Sequence, residues 1–271
     1  MSRSPLVGTT ILITRPAERS ARLVDVLDQR GARVIVAPTI ELRPVRSAAL
    51  TAALRDLAAG GFPWIVLTSP AAIGMLADRL GGPRDVRASV AAVGDGTAEA
   101  FRRWARRSPD LRPRAFTVAA LARAFPRGRG RVLCPRADIA PEGLEAALEA
   151  KGWTPERVDA YRTRFPTNLP AAARRALTGG EVDAVTFTSA STVRGFVHSG
   201  ASVPRGTRVV CIGPVTAREA RAQGITVHAV ADPHTTDGLV RALERALAHR
   251  RPSEGPTDRD PGPNKGGAAR P

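Results

Sequence analysis

The sequence predicts an α/β protein made of two similar lobes, each a parallel sheet with helices on both faces. Three observations predict it. Short apolar, β-rich runs alternate with amphipathic helical stretches, and strands apolar on both faces belong to parallel sheets buried on both sides. The same short motifs occur twice in one order, about 120 residues apart. Over 271 residues, 43% hydrophobic against 24% charged supplies a real core, for one large domain or two modest ones.

The elements read in order. Residues 10–14 form a buried strand. Residues 18–30 follow as a helix, with Ala21, Leu23, Val24 and Leu27 on one face and Gly31 as its stop. Residues 34–37 make a strand halted by Pro38. Residues 64–67, 90–93, 132–134, 184–187 and 209–212 are strands of the same kind. The stretch after residue 248 changes character, being rich in Pro, Gly, Arg and Asp. Without apolar periodicity it cannot offset the entropy of ordering, and residues 251–271 read as a disordered tail.

The repeat is the most informative feature. Residues 64–69 (Trp-Ile-Val-Leu-Thr-Ser) parallel residues 184–189 (Ala-Val-Thr-Phe-Thr-Ser) at an offset of 120. Residues 93–98 parallel residues 212–217 at 119, and residues 121–125 parallel residues 239–243 at 118. The opening strand, its helix and Gly31 echo residues 131–134, their helix and Gly152. The chain is therefore two α/β halves and not one large sheet.

Charge narrows the partners. The formal charge is +16, almost all of it arginine, with Lys151 and Lys265 the only lysines. Such a balance attracts anions, although a GC-rich genome also favours arginine over lysine. Nucleic acid is not the expected partner: aromatics make up 4%, the arginines are scattered and no recognition motif appears. No run approaches the ~18 apolar residues of a membrane span, and the start lacks a signal-peptide core, so the expectation is a cytoplasmic protein without membrane contact. Cys134 and Cys211 lie in apolar runs and read as core residues. The four histidines lack ligand spacing, so no metal is expected. There is no Walker loop, no Gly-x-Ser-x-Gly elbow, and Gly94-Asp95-Gly96 lacks the third glycine of a dinucleotide fingerprint. Lys151, at a helix end before Gly152, is a poor Schiff-base candidate.

Each half keeps two conspicuous strand-to-helix turns: Thr68-Ser69-Pro70 with residues 94–97 ending in Thr97, and Thr188-Ser189-Ala190 with Gly213-Pro214-Val215-Thr216. Ligands of parallel sheets sit beyond the carboxyl ends of the strands, and helix starts there favour anions. Each hydroxyl taken singly also reads as a helix cap. Tyr161 is the only tyrosine; its phenol can give or take a proton, or serve structure alone. Arg15, at the first strand-to-helix turn, reads equally as anion contact or surface charge.

Together these segments resemble the uroporphyrinogen-III synthase family over roughly residues 7–248. The motifs that carry the resemblance are Ile13-Thr14-Arg15-Pro16, the two Thr-Ser strands at 64–69 and 183–189, residues 158–163 around Tyr161, residues 212–217, and residues 235–239. Each is short; their order and spacing carry the weight. The resemblance implies two flavodoxin-like lobes joined by a two-stranded linker, with the first lobe discontinuous. That lobe would be residues 1–38 plus 166–250, the linker strands 39–45 and 157–165, and the second lobe 46–156. It implies a lyase without cofactor that closes hydroxymethylbilane, which carries eight carboxylates, into uroporphyrinogen III. Water leaves, and ring D inverts through a spiro intermediate. Tyr161 is the implied proton donor and Thr216 the implied carboxylate contact or leaving-group guide. Arg15, Ser69, Thr97, Thr188, Ser189, Gly213 and Pro214 are implied substrate contacts. Some family members have Thr where this chain has Val215. The resemblance further implies a monomer, with transient contact to the porphobilinogen deaminase that supplies the bilane. The competing reading is a two-lobed regulatory protein that closes on an anionic metabolite without chemistry.

Overall fold

The computed structural model describes residues 4–248; the tail at 251–271 lies outside them. In chain order, β1 (Thr10–Ile13), α1 (Ala21–Asp28) and β2 (Arg33–Val36) come first. Then follow β3 (Glu41–Pro44), α2 (Ala48–Ala58), β4 (Trp64–Leu67), α3 (Pro70–Ala77), β5 (Ser89–Ala92), α4 (Asp95–Ala105) and α5 (Val118–Ala124). β6 (Arg131–Ala137), α6 (Leu144–Glu149) and β7 (Thr154–Arg164) continue. The chain closes with α7 (Ala171–Thr178), β8 (Ala184–Phe187), α8 (Ala190–His198), β9 (Arg208–Cys211), α9 (Pro214–Ala222), β10 (Ala229–Val230) and α10 (Thr236–Ala248).

Two sheets result. The first has the order β10-β9-β8-β1-β2 and is parallel throughout. Renumbered within its lobe this is 2-1-3-4-5, the flavodoxin order. The second has the order β3-β7-β6-β4-β5, parallel except for the antiparallel β3. Its β7-β6-β4-β5 repeats 2-1-3-4, and the fifth strand shrinks to a single parallel bridge, Ala91 with Leu111. Both lobes are therefore one plan, entered by the chain at different points.

Alternation explains the layers. Ile65 and Leu67 face α2, α3 and α4, while Val66 faces α5 and α6. In the first lobe, Leu12 faces α7, α8 and α9, while Ile11 and Ile13 face α1 and α10. Cys134 and Cys211 are buried in these cores, where desolvation pushes both thiols up to about 12. Gly31 and Gly152 end α1 and α6 with φ of +78° and +92°. At Gly152 a Cβ would lie 2.5 Å from the Gly128 carbonyl oxygen, so no side chain fits.

The helix read as residues 18–30 starts later. Residues 17–19 form a separate 3₁₀ turn, and α1 begins at Ala21. Ser20 Oγ donates to the Pro16 carbonyl at 3.0 Å, a local bond that competes with helix propagation. β7 also begins earlier than the stretch 157–165: residues from Thr154 pair in parallel with β6, and Tyr161–Arg164 pair antiparallel with β3. The chain leaves the first sheet through Thr39, fully buried, whose hydroxyl lies 2.8 Å from the Thr192 carbonyl and 3.1 Å from that of Thr14. Gly195 permits that crossing, since its Cβ would fall 1.9 Å from the Thr39 oxygen. Among the described residues no helix is long and apolar enough to cross a membrane.

Candidate active site

Tyr161 occupies a special point of β7. Arg136 pairs with Asp159 but the next residue, Ala137, pairs with Tyr161, so β7 carries an extra residue there. The period-two burial of the strand slips at that point: Ala160 and Tyr161 are both buried, then Arg162 is exposed and Thr163 buried. A bulge re-aims side chains in this way. The Tyr161 oxygen lies 2.7 Å from Ser69 Oγ, at the start of α3. Ser69 also caps α3 by accepting from the Ala72 N–H at 3.4 Å.

A cavity of about 260 Å³ opens beside Tyr161. Its lining combines Glu18 and Arg19 from the 3₁₀ turn of the first lobe with Leu42, Pro44 and Tyr161 of the ribbon and Asp78 after α3. Burial pushes the Tyr161 phenol above its usual range, opposed by the Ser69 hydrogen bond and by Arg19. The phenol therefore holds its proton at neutral pH and is available as an acid. Arg15 lies close by in the chain; its Nη1 donates to the Arg19 carbonyl at 3.3 Å. Burial, with help from the Arg19 charge, lowers Arg15 to about 10.

The other anticipated residues stand on neighbouring helix starts. Thr97 and Thr216 are the third residues of α4 and α9, both buried to 4% exposure, and neither hydroxyl has a hydrogen bond among the described residues. Gly94 and Gly213 are the caps of those helices and offer no side chain, so the first N–H groups stay open. Pro214 removes one of them on α9. Phe116 and His234 meet edge-on at 5.0 Å, joining the two lobes beside these turns. Ser189 is a helix cap: it accepts from the Thr192 N–H at 3.2 Å in a reciprocal capping box. The Thr188 N–H is held by Thr192 Oγ1 at 3.3 Å. No hydrogen bond joins Thr97, Thr188, Ser189 or Thr216 to Tyr161 among the described residues.

Arg19 escapes the sequence reading, because a helix over 18–30 makes it a solvent-facing position. The available signal is Ser20, a favoured cap residue just before the apolar period begins. A larger open depression, about 510 Å³, runs along α5 and is lined by Arg112, Arg114 and Arg123 with no hydroxyl or carboxyl group. It lacks the acid that the chemistry below requires.

Fold and site together define a two-lobed α/β enzyme in which a buried phenol shares a cavity with Arg19, an arginine of the other lobe without an ion pair among the described residues. A family model described as uroporphyrinogen-III synthase HemD matches residues 21–241, and the chain belongs to that family. It is 32% identical over 261 residues to the uroporphyrinogen-III synthase of Synechococcus elongatus, covering 90% of this chain and 98% of that one. It is 33% identical over 251 residues to a porphyrin biosynthesis protein HemD of Ruminiclostridium josui; the match covers 89% of this chain and 49% of that longer protein. A mutant uroporphyrinogen III synthase from the extremely thermophilic bacterium Thermus thermophilus shares the fold with a TM-score of 0.62 at 20% identity, over 90% of this chain and 100% of that one. Membership favours tetrapyrrole biosynthesis over the regulatory reading.

Proposed function

We propose that the chain grips hydroxymethylbilane between its lobes and converts it to uroporphyrinogen III. The observation that carries this reading is the Tyr161–Ser69 pair, 2.7 Å apart at the edge of a cavity that also holds Arg19. Ser69 can accept from the Ala72 N–H and give its own proton to the Tyr161 oxygen. The phenolic proton then points into the cavity. Tyr161 passes it to the terminal hydroxyl of the bilane, which departs as water and leaves a protonated azafulvene (an azafulvenium cation) beside the phenolate. The substituted carbon of ring D attacks, a spiro intermediate forms, and fragmentation with reclosure inverts that ring. The proton shed when the ring regains aromaticity returns to the phenolate. The net change is loss of one water with no redox step, so the reading invokes no cofactor.

Free bilane closes directly to the symmetrical isomer, so the main task is holding one conformer. Arg15 and the hydroxyls and open N–H groups at Thr97 and Thr216 are the proposed grips for carboxylates, with Gly213 and Pro214 shaping the α9 turn. Thr188 and Ser189 build the adjoining wall. The cavity is smaller than the ~300–1,000 Å³ usual for a drug-sized ligand, so a tetrapyrrole requires the lobes to part about their two connections. The reading carries with it a cytoplasmic monomer that receives an unstable bilane from porphobilinogen deaminase. A coupled assay tests the core claim: protein, deaminase and porphobilinogen, followed by oxidation and separation of uroporphyrin isomers. Isomer III is the expected product, and isomer I alone from folded protein refutes the reading.

A further inference from the structure

Two arginines of the first lobe, Arg15 and Arg19, have no ion-pair partner among the described residues. For Arg19, burial outweighs the favourable charge of nearby Glu18. Arg15 Nε is buried without a partner, and its Nη1 bond to the Arg19 carbonyl ties it beneath the turn that carries Arg19. Glu18 and Asp78 share the cavity lining but pair with neither. Holding two like charges together in partly dry surroundings is unfavourable unless an anion arrives.

The second lobe supplies an acid at the same position, although Arg136 Nε, like Arg15 Nε, is buried without a partner. Thr10 pairs with Arg33 and Arg131 with Thr154, and five residues beyond each strand start stand Arg15 and Arg136. Arg136 donates to Glu145 at 2.7 Å and to the Pro141 carbonyl at 2.9 Å. Glu145 follows Leu144, whose counterpart in α1 is Leu23; both leucines are fully buried. The counterpart of Glu145 is therefore Val24. The first lobe has the cation without its acid.

Resting on the bilane reading, we propose that Arg15 and Arg19 together seat one side-chain carboxylate of the substrate, and that Arg19 is a positioning residue setting the attached pyrrole against the Tyr161 phenol. Arg19 fits that role because it lines the Tyr161 cavity from the opposite lobe. A carboxylate bound there bridges the two arginines and brings its ring to the proton donor. Val24 leaves the seat open, since an acid at that position would occupy it permanently.

The test begins with wild-type protein in the coupled assay. Arg19→Gln is expected to raise KM for the bilane about tenfold, the loss of one charge-assisted contact, and to lower the III:I isomer ratio. Arg19→Lys recovers part of both. Val24→Glu raises KM as Arg15→Gln does, by supplying an internal carboxylate. Arg22→Gln, which removes the same charge from an exposed position, leaves KM within about twofold. The Arg19 side chain makes no hydrogen bond among the described residues, so Arg19→Gln decides the matter if Val24→Glu misfolds. KM and isomer ratio unchanged in folded Arg19→Gln overturn the proposal. If wild-type protein yields only isomer I, the synthase reading fails first. A binding titration with uroporphyrin III, an octacarboxylate, then judges the seat separately: equal affinity of wild type and Arg19→Gln rejects it.

Discussion

The two lobes share a plan but differ in how they treat charge at the same turns. In the second, Arg136 is 1% exposed and answered by Glu145, and Asp95 opens α4 in an ion pair with Arg112. In the first, Val24 stands at the counterpart of Glu145, and Pro214 opens α9 where Asp95 opens α4. At these two turns the second lobe supplies its own acids, Glu145 and Asp95, and the first lobe supplies none. Duplicated architecture thus separates structural charge from functional charge more clearly than composition does. The net +16 is spread over both lobes, and many exposed arginines are answered only by solvent; the difference between the lobes lies in the buried ones.

The largest expected effect breaks the satisfied lobe. Glu145→Ala leaves the Arg136 guanidinium buried and unpaired, and should cost about 3 kcal/mol of stability. Chemical denaturation with unchanged m-value reads it. A loss below about 0.5 kcal/mol would mean that the second lobe does not depend on its internal acid, and the contrast would collapse.

The mirror experiment removes the unanswered cation. Arg15→Met should stabilise the protein by up to about 3 kcal/mol, at ~1.36 kcal/mol per unit of pKa shift, while weakening substrate binding. The pH dependence has a definite sign. Arg15 sits at about 10, below its value in the unfolded chain, so the folded state releases its proton first. Between those values the unfolded chain binds more protons, and stability contributed at this site rises with pH. Comparing wild type with Arg15→Met across that window should show the slope in the wild type and its absence in the variant. Equal slopes would mean that the guanidinium is well solvated.

Tyr161→Phe addresses the junction between the lobes. It removes the proton donor and leaves the ring in its apolar seat against Ala71 and Met75. kcat should fall by about 10², with KM nearly unchanged and direct closure to isomer I rising. A matching fall in thermal stability, with kcat intact, would reassign the phenol to packing.

Much of the architecture is legible in the sequence, because buried parallel strands are apolar throughout and the duplication supplies an internal check. Residues 64–69 and 184–189 announce the same strand and turn in each lobe, and both become strand plus capped helix. What stays hidden depends on contacts between distant residues. Tyr161 is conspicuous as the only tyrosine, but Ser69 is 92 residues away and meets it only across the β7 bulge. The turn at residues 17–19 is invisible to periodicity, since Glu18 and Arg19 also fit the polar face of a helix. Arg15 is visible as a residue; that its charge has no answer becomes evident only beside Arg136 and Glu145.

The smallest predicted effect separates cap from contact. Ser69 and Ser189 stand at equivalent turns of the two lobes, and each accepts an N–H at the third residue of its helix. Replacing either with alanine should cost about 1 kcal/mol, so the two variants should melt alike. They should not react alike. Ser69→Ala also removes the hydroxyl 2.7 Å from the Tyr161 oxygen, freeing the phenol to rotate away and lowering kcat several-fold. Ser189 spends its hydroxyl on Thr192 and Ser191, so Ser189→Ala should keep activity within about twofold once its cap loss is allowed for. Equal activity losses would mean that both turns touch substrate and that the cleft is chemically symmetric. A loss confined to Ser69→Ala would place the chemistry on one wall and the carboxylate grip on the other.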